Sequence, residues 1–243
     1  MCPVFHSNRI RDEHEQYLKN LEKIITKRTS KSNRKLSYDF YKMSYSVFVL
    51  ISELIKKRQN TPYLNELKTE VVTLIGLGTI GFETSLHLRR CIELILKHIY
   101  YLHHPIEYQI LTESIETDNI SKEDITVREL FDYLSTHPSF KISRKLNDPI
   151  NILNILYREL CEIVHARKTS IPSKLEQCTL PKLLEDDVQH GKKTYQKIMK
   201  SIIILLVIFH RKSVSKFDEF IKEAILYSLS PTVSRNLRTK LSI

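Results

Sequence analysis

A chain of 243 residues with 42% hydrophobic content can bury a full core, which excludes a disordered or low-complexity protein. Only four glycines occur, three of them at Gly76, Gly78 and Gly81, so tight turns are scarce and helices must dominate. The 38 basic residues against 28 acidic ones give a net charge of +10, a field that favours a polyanion such as nucleic acid or an acidic protein partner.

In chain order, Arg11 to Thr26 carries Tyr17, Leu18, Leu21, Ile24 and Ile25 at helical spacing, which predicts a first amphipathic helix. The basic stretch Lys27 to Lys35 reads most simply as a solvated linker, with a nucleic-acid contact as the alternative. Ser37 is expected to cap a long, aromatic-rich helix reaching about Gln59. Further helices are predicted over about Leu64 to Leu74, Phe82 to His103 and Glu107 to Ser114. Thr126-Val-Arg-Glu129 has capping-box form and starts a helix to about Ser135. Asp148-Pro149 begins another, with an N-cap followed by proline in the first turn. Lys168 to Lys182 is polar and proline-bearing, a loop; Leu183 to about Arg211 is a long helix that ends wholly apolar; Phe217 to Leu229 is the last. The expected organisation is an all-α protein, with an N-terminal helical extension over 1–60 and a helical bundle over 61–243.

Cys2, Cys91, Cys161 and Cys178 form no C-x-x-C pair and read as reduced, core-type thiols of a cytoplasmic protein, without a structural zinc site. The start lacks the apolar core of a signal peptide. Ile202 to Phe209, the longest apolar run, is about one third of a membrane span, so no membrane is expected as a partner.

Val71-Val-Thr-Leu-Ile-Gly-Leu-Gly-Thr-Ile-Gly81 fits the G-x-G-x-x-G pattern of dinucleotide sites. That chemistry needs a second strand ending in an acid about 20 residues later and further alternating strands, and none follows. The glycines therefore read as a relaxed junction between two closely packed helices, and no cofactor is expected.

Two helices carry polar seams among apolar residues. In Arg158-Glu-Leu-Cys-Glu-Ile-Val-His165 the arginine and histidine stand two helical turns apart, and Glu162, Asn151 and Asn154 fall on the same line. Apolar side chains fill nearly all the remaining circumference, which predicts a mostly buried helix. In the preceding helix Glu83, His87, Arg90, Lys97 and Tyr101 share one side. A solvated bundle edge explains the latter seam. For the former, a set of arginine, histidine, glutamate and asparagines is suited to holding an anion and moving a proton.

Arg158-x6-His165, near the end of an apolar helix, resembles the R-x4-6-H signature of the HEPN superfamily of all-helical nucleotide-binding domains, many of them metal-independent ribonucleases. Arg90 to Pro105 is similar to the earlier core helix of anti-phage or abortive-infection members, and the likeness spans about 82–211. It implies a homodimer in which two motif helices face each other and form one composite site that cuts an RNA substrate without metal. His165 would then be the general acid or base and Arg158 the stabiliser of phosphoryl charge, with Asn151, Asn154, Arg90 and Lys97 expected to bind substrate. Glu159 stands where the family often has asparagine, aspartate or histidine, and Glu162 is read from its position as the group that orients His165. The implied role is an effector of bacterial defence or a toxin-antitoxin system, with a neutralising or regulatory protein as a further partner. The alternative is a non-catalytic helical module that binds a protein or nucleic acid.

Overall fold

The computed structural model describes residues 8–13, 15, 16, 19, 31–57, 62–77, 82–116, 125–139, 148–165 and 185–241, and among these every regular element is helical. The fold is all-α. We label the elements α1 (Lys31–Lys56), α2 (Pro62–Leu77), α3 (Phe82–His103), α4 (Pro105–Glu116), α5 (Val127–Thr136), α6 (Pro149–Val164), α7 (Glu185–Phe209), α8 (Arg211–Val214), α9 (Glu219–Leu226) and α10 (Pro231–Leu241). Residues 8–13 are helical as well. No described helix is long and apolar enough to cross a membrane.

The centre is built from α3 and α7. Ser201 through Ile208 is buried without a break, so the second half of α7 is surrounded on all sides. α7 packs on α1, α3 and α6; α3 packs on α2, α5 and α6; α9 lies on α1. One continuous cluster of apolar side chains runs from Phe40 to Leu237, and α1 supplies Val47, Leu50, Ile51 and Leu54 to it. Residues 38–56 therefore share the core of the bundle that follows.

Three expectations are corrected. α1 begins at Lys31, so Ser37 lies inside the helix and residues 31–35 of the basic stretch are helical. Lysine and arginine are good helix formers, and with no glycine or proline from 31 to 37 the helix propagates backward from its aromatic face. The expected helix over Phe217 to Leu229 is shorter, because the Asp218 side chain accepts the Phe220 N–H at 2.8 Å and starts α9 there. α10 follows, where no element was expected, opened by Ser230-Pro231. The β-branched run Val71 to Ile75 is part of helix α2, not a strand, and a Cβ placed on Gly76 would meet open space. Gly78, Gly81, Cys2, Cys178, residues 27–30 and the loop over 168–182 lie outside the described residues, as does most of the first predicted helix.

The caps of the two site-proximal helices are as predicted. Thr126 and Glu129 exchange hydrogen bonds in a capping box at the start of α5. At α6, Asp148 accepts the Asn151 N–H at 3.2 Å and Pro149 takes the first helical position. Asp148 does this at φ 43°, in the left-handed region that aspartate tolerates better than most residues. Asp148→Ala loses the cap and strains the backbone, and is expected to cost about 2 kcal/mol, whereas Asp148→Gly should cost a few tenths of that. Urea melts of the two variants check the order.

Candidate functional site

α6 buries Pro149, Ile150, Leu153, Leu156 and Leu160, all on one side. Its other side is open. Asn151, Arg158 and His165 are exposed, Asn154, Glu159 and Glu162 are half-buried, and Ile155 stands 51% exposed among them. The expected burial around nearly the whole helix is thus corrected: α3, α5 and α7 cover only one face within a single chain. The residues Asn151, Arg158, Glu162 and His165 do share the outward face, as an i, i+7, i+11, i+14 spacing requires.

His165 forms the C-cap, its N–H donating to Cys161 O at 2.9 Å. Its ring Nε2 lies 3.4 Å from a terminal guanidinium nitrogen of Arg89 on α3. The arginine that reaches His165 therefore comes from α3, a residue the sequence analysis did not single out.

Arg89 belongs to a junction that ties α3 to α6. Its Nε sits 3.1 Å from Glu93 Oε1, and its guanidinium lies 5.7 Å from the centre of the Tyr157 ring. The Tyr157 hydroxyl donates to Glu93 Oε1 at 3.0 Å. Arg90 reaches the other Glu93 oxygen at 3.7 Å. Burial pushes the Tyr157 phenol well above its ordinary range, with Glu93 adding to the effect, so it stays a neutral donor. Burial works against the Arg89 charge, but its bond with Tyr157 and the field of Glu93 outweigh that and hold it cationic. Glu93 is the hub: it satisfies one phenol and offsets two guanidinium groups from a side chain only 15% exposed.

Removing that hub has a definite cost. Glu93→Ala strands the Arg89 charge and the Tyr157 hydroxyl, and is expected to destabilise the fold by about 2 kcal/mol, discounted from the fully buried case for the quarter-exposed arginine. Glu93→Gln keeps an acceptor for Tyr157 and should cost about half as much. Equal melting curves for the two variants would show that the shared hydrogen bond does not join the helices.

The polar seam of α3 has a different destination from that of α6. His87 Nδ1 lies 2.6 Å from Glu70, Arg90 donates to Glu66 at 2.9 Å, Lys97 Nζ sits 5.7 Å from the Tyr63 ring centre, and Tyr101 stacks on Tyr63 at 5.4 Å. Tyr63, Glu66 and Glu70 all belong to α2. Arg90 and Lys97 are thus engaged at the α2 side of α3, and only Arg90 touches the Glu93 junction.

A second concentration of titratable groups gathers where α3 and α7 end. His98 and His210 are buried, with ring nitrogens 2.8 Å apart. Burial, then the neighbouring His210 and His103, lowers His98 to about 3; burial and His103 lower His210 to about 4. The pair is neutral, one ring donating to the other. His103 and His137 pack beside Phe209, and His104 stacks on Tyr100 at 4.1 Å. Among the described residues no three His, Cys, Asp or Glu side chains are grouped to hold a metal ion. Cys91 and Cys161 are free thiols, and burial raises that of Cys91. Compared with protein-family models, curated proteins and solved structures, the chain matches none of them.

Proposed function

We propose that the chain is a metal-independent endoribonuclease effector of bacterial defence or a toxin-antitoxin system, acting as a homodimer through the open face of α6. The observation that carries this reading is the composition of that face: an exposed arginine and an exposed histidine in line, two asparagines, and a half-exposed isoleucine between them. An apolar side chain ringed by polar ones is the make-up of an interface core with its rim. Two copies opposed along α6 bring two arginines and two histidines to one seam, reinforced by Arg89 behind each His165.

In such a seam the 2′-hydroxyl of the substrate attacks the adjacent phosphorus and loses its proton to one imidazole. The P–O5′ bond breaks, and the leaving oxygen takes a proton from the partner's imidazolium, leaving a 2′,3′-cyclic phosphate and a 5′-hydroxyl. The guanidinium of Arg158 matches two phosphoryl oxygens where negative charge accumulates. Asn151 and Asn154 offer amide hydrogen bonds to ribose or base. The likeness of Arg158-x6-His165 to the HEPN signature supports the same assignment.

The test is purified protein incubated with total RNA in EDTA, beside His165→Ala and Arg158→Ala. Cleavage by the wild type that both variants lack supports the reading, and undiminished cleavage by both ends it. The same face also suits a non-catalytic module, because exposed Ile155 is an apolar anchor whichever partner covers it. That outcome appears as no cleavage by any of the three proteins together with partner binding lost on Ile155→Asp.

A further inference from the structure

The last two helices have a use that the α6 face does not explain. α9 is eight residues long, Tyr227 to Ser230 make a short turn, and α10 runs for eleven residues. α9 is anchored to α1: Ser46 Oγ donates to Ala224 O at 2.9 Å, and Lys42 Nζ sits 4.1 Å from the Tyr227 ring centre. α10 is locked to α9 in turn. Ser230 Oγ accepts the Val233 N–H at 3.4 Å, Ser234 Oγ donates to Leu226 O at 3.2 Å, and Arg238 pairs with Glu223. Ala224, Ile225, Leu226, Leu229, Val233 and Leu237 are buried beneath the pair. This is two helices joined by a tight turn, the first held against the bundle and the second presented outward.

The outward face of α10 has a specific chemistry. Thr232, Arg235 and Thr239 are exposed and Asn236 is half-buried, the i, i+3, i+4, i+7 spacing of one helical stripe. The stripe has no carboxylate and no apolar anchor, and offers a guanidinium, an amide and two threonines; the nearby carboxylates Asp218, Glu219 and Glu223 lie on α9 and its cap. From Ala224 to the last residue, Ile243, the sequence contains no acid at all, while Arg235, Arg238 and Lys240 are basic. Exposed Arg211, Lys212 and Lys216 stand in the segment just before α9.

We propose that α9, the turn and α10 form a helix-turn-helix that binds duplex DNA, with α10 in the major groove. A helix with its side chains is about 10–12 Å across and the major groove of B-form DNA is about 12 Å wide, so the two fit. The corresponding groove of an RNA duplex is too deep and narrow for side chains to read. Arginine pairs with the O6 and N7 of guanine and asparagine with the N6 and N7 of adenine, which assigns base reading to Arg235 and Asn236. Thr232 is placed for a phosphate, the Thr239 methyl for that of thymine, its hydroxyl already donating to Arg235 O at 3.0 Å, and Lys42 beside the turn supplies a further phosphate contact. None of these residues belongs to the α6 face, and the proposal does not depend on RNA cleavage.

The experiment uses the full chain and selects bound sequences from a pool of random duplexes of about 30 base pairs, then measures affinity by fluorescence anisotropy against salt. The wild type is expected to enrich a short common sequence. Arg235→Ala and Asn236→Ala should each weaken binding to it by at least about fivefold and relax preference at one base pair. Thr232→Ala should weaken all duplexes by a similar factor without changing the preference. Arg235 and Thr232 are exposed and Asn236 is half-buried outside the core, so melting temperatures within a few degrees of the wild type are expected and are measured beside each affinity. Absence of any enriched sequence overturns the proposal. So do variants that bind as the wild type does, or an RNA duplex of the same sequence bound as tightly and with the same losses.

Discussion

His165→Ala is expected to lower RNA cleavage by at least about 100-fold while leaving the melting temperature within a degree or two of the wild type. The first half follows from the role of a proton carrier, which no neighbour can assume. Glu162 and Glu159 are on the same helix, but a carboxylate facing a phosphodiester repels it. The second half follows from position, because His165 is exposed at the end of α6 and its ring makes one long contact, to Arg89. Arg158→Ala should lose a similar factor through lost stabilisation of phosphoryl charge, and Arg158→Lys should recover only part of it, since an ammonium does not match two oxygens at once. Arg89→Ala discriminates further. Arg89 is held by Glu93 and lies over the Tyr157 ring, so its loss lowers both stability and cleavage, whereas the two α6 variants lower cleavage alone. Wild-type cleavage rates in both His165→Ala and Arg158→Ala would remove the α6 face from the chemistry altogether.

The parts of this arrangement that could be read from sequence are those written in a few neighbouring residues. Thr126 with Glu129, and Asp148 with Pro149, fix where α5 and α6 begin because a cap needs only its own first turn. That Arg158 and His165 align follows from helical periodicity alone, whereas the openness of their face does not. What periodicity does not contain is the identity of the neighbour on each flank. Arg89 and Arg90 are adjacent and about 100° apart on α3, so one faces α6 and the other α2, and the stripe read as a solvated edge, with His87, Arg90 and Lys97, meets α2. Tyr157 falls on the apolar circumference of α6 by position, yet its hydroxyl donates the bond to Glu93. The His98 to His210 contact spans 112 positions and leaves no local trace. α10 did carry a signal, Ser230 followed by Pro231, a cap residue and a first-turn proline at the spacing already used to place α6. Its few apolar residues, Val233 and Leu237, gave too weak a stripe for periodicity to register.

The buried histidine pair makes the fold sensitive to mild acid. In the unfolded chain His98 and His210 take up protons near their ordinary value of 6.5, whereas in the folded chain they resist until about 3 and about 4. Folded-state values this low mean that the unfolded chain binds more protons throughout the interval between them and 6.5. Stability is therefore fully present above about pH 6.5 and declines as the pH falls toward 4. Between pH 7 and pH 5 each histidine contributes a loss of about 2 kcal/mol, so the pair accounts for about 4 kcal/mol. In a chain of this size that lowers the melting temperature by roughly 10 °C. The half-buried His137, also lowered by burial and by His103 and His104, adds in the same direction. Replacing both rings with glutamine, His98→Gln with His210→Gln, keeps one donor and one acceptor at similar volume but removes the protons. The double variant is expected to lose less than half as much stability as the wild type between pH 7 and pH 5, whatever its stability at neutral pH. If its melting temperature falls with acid as steeply as the wild type's, the sensitivity resides in other groups and the buried pair is only a packing element.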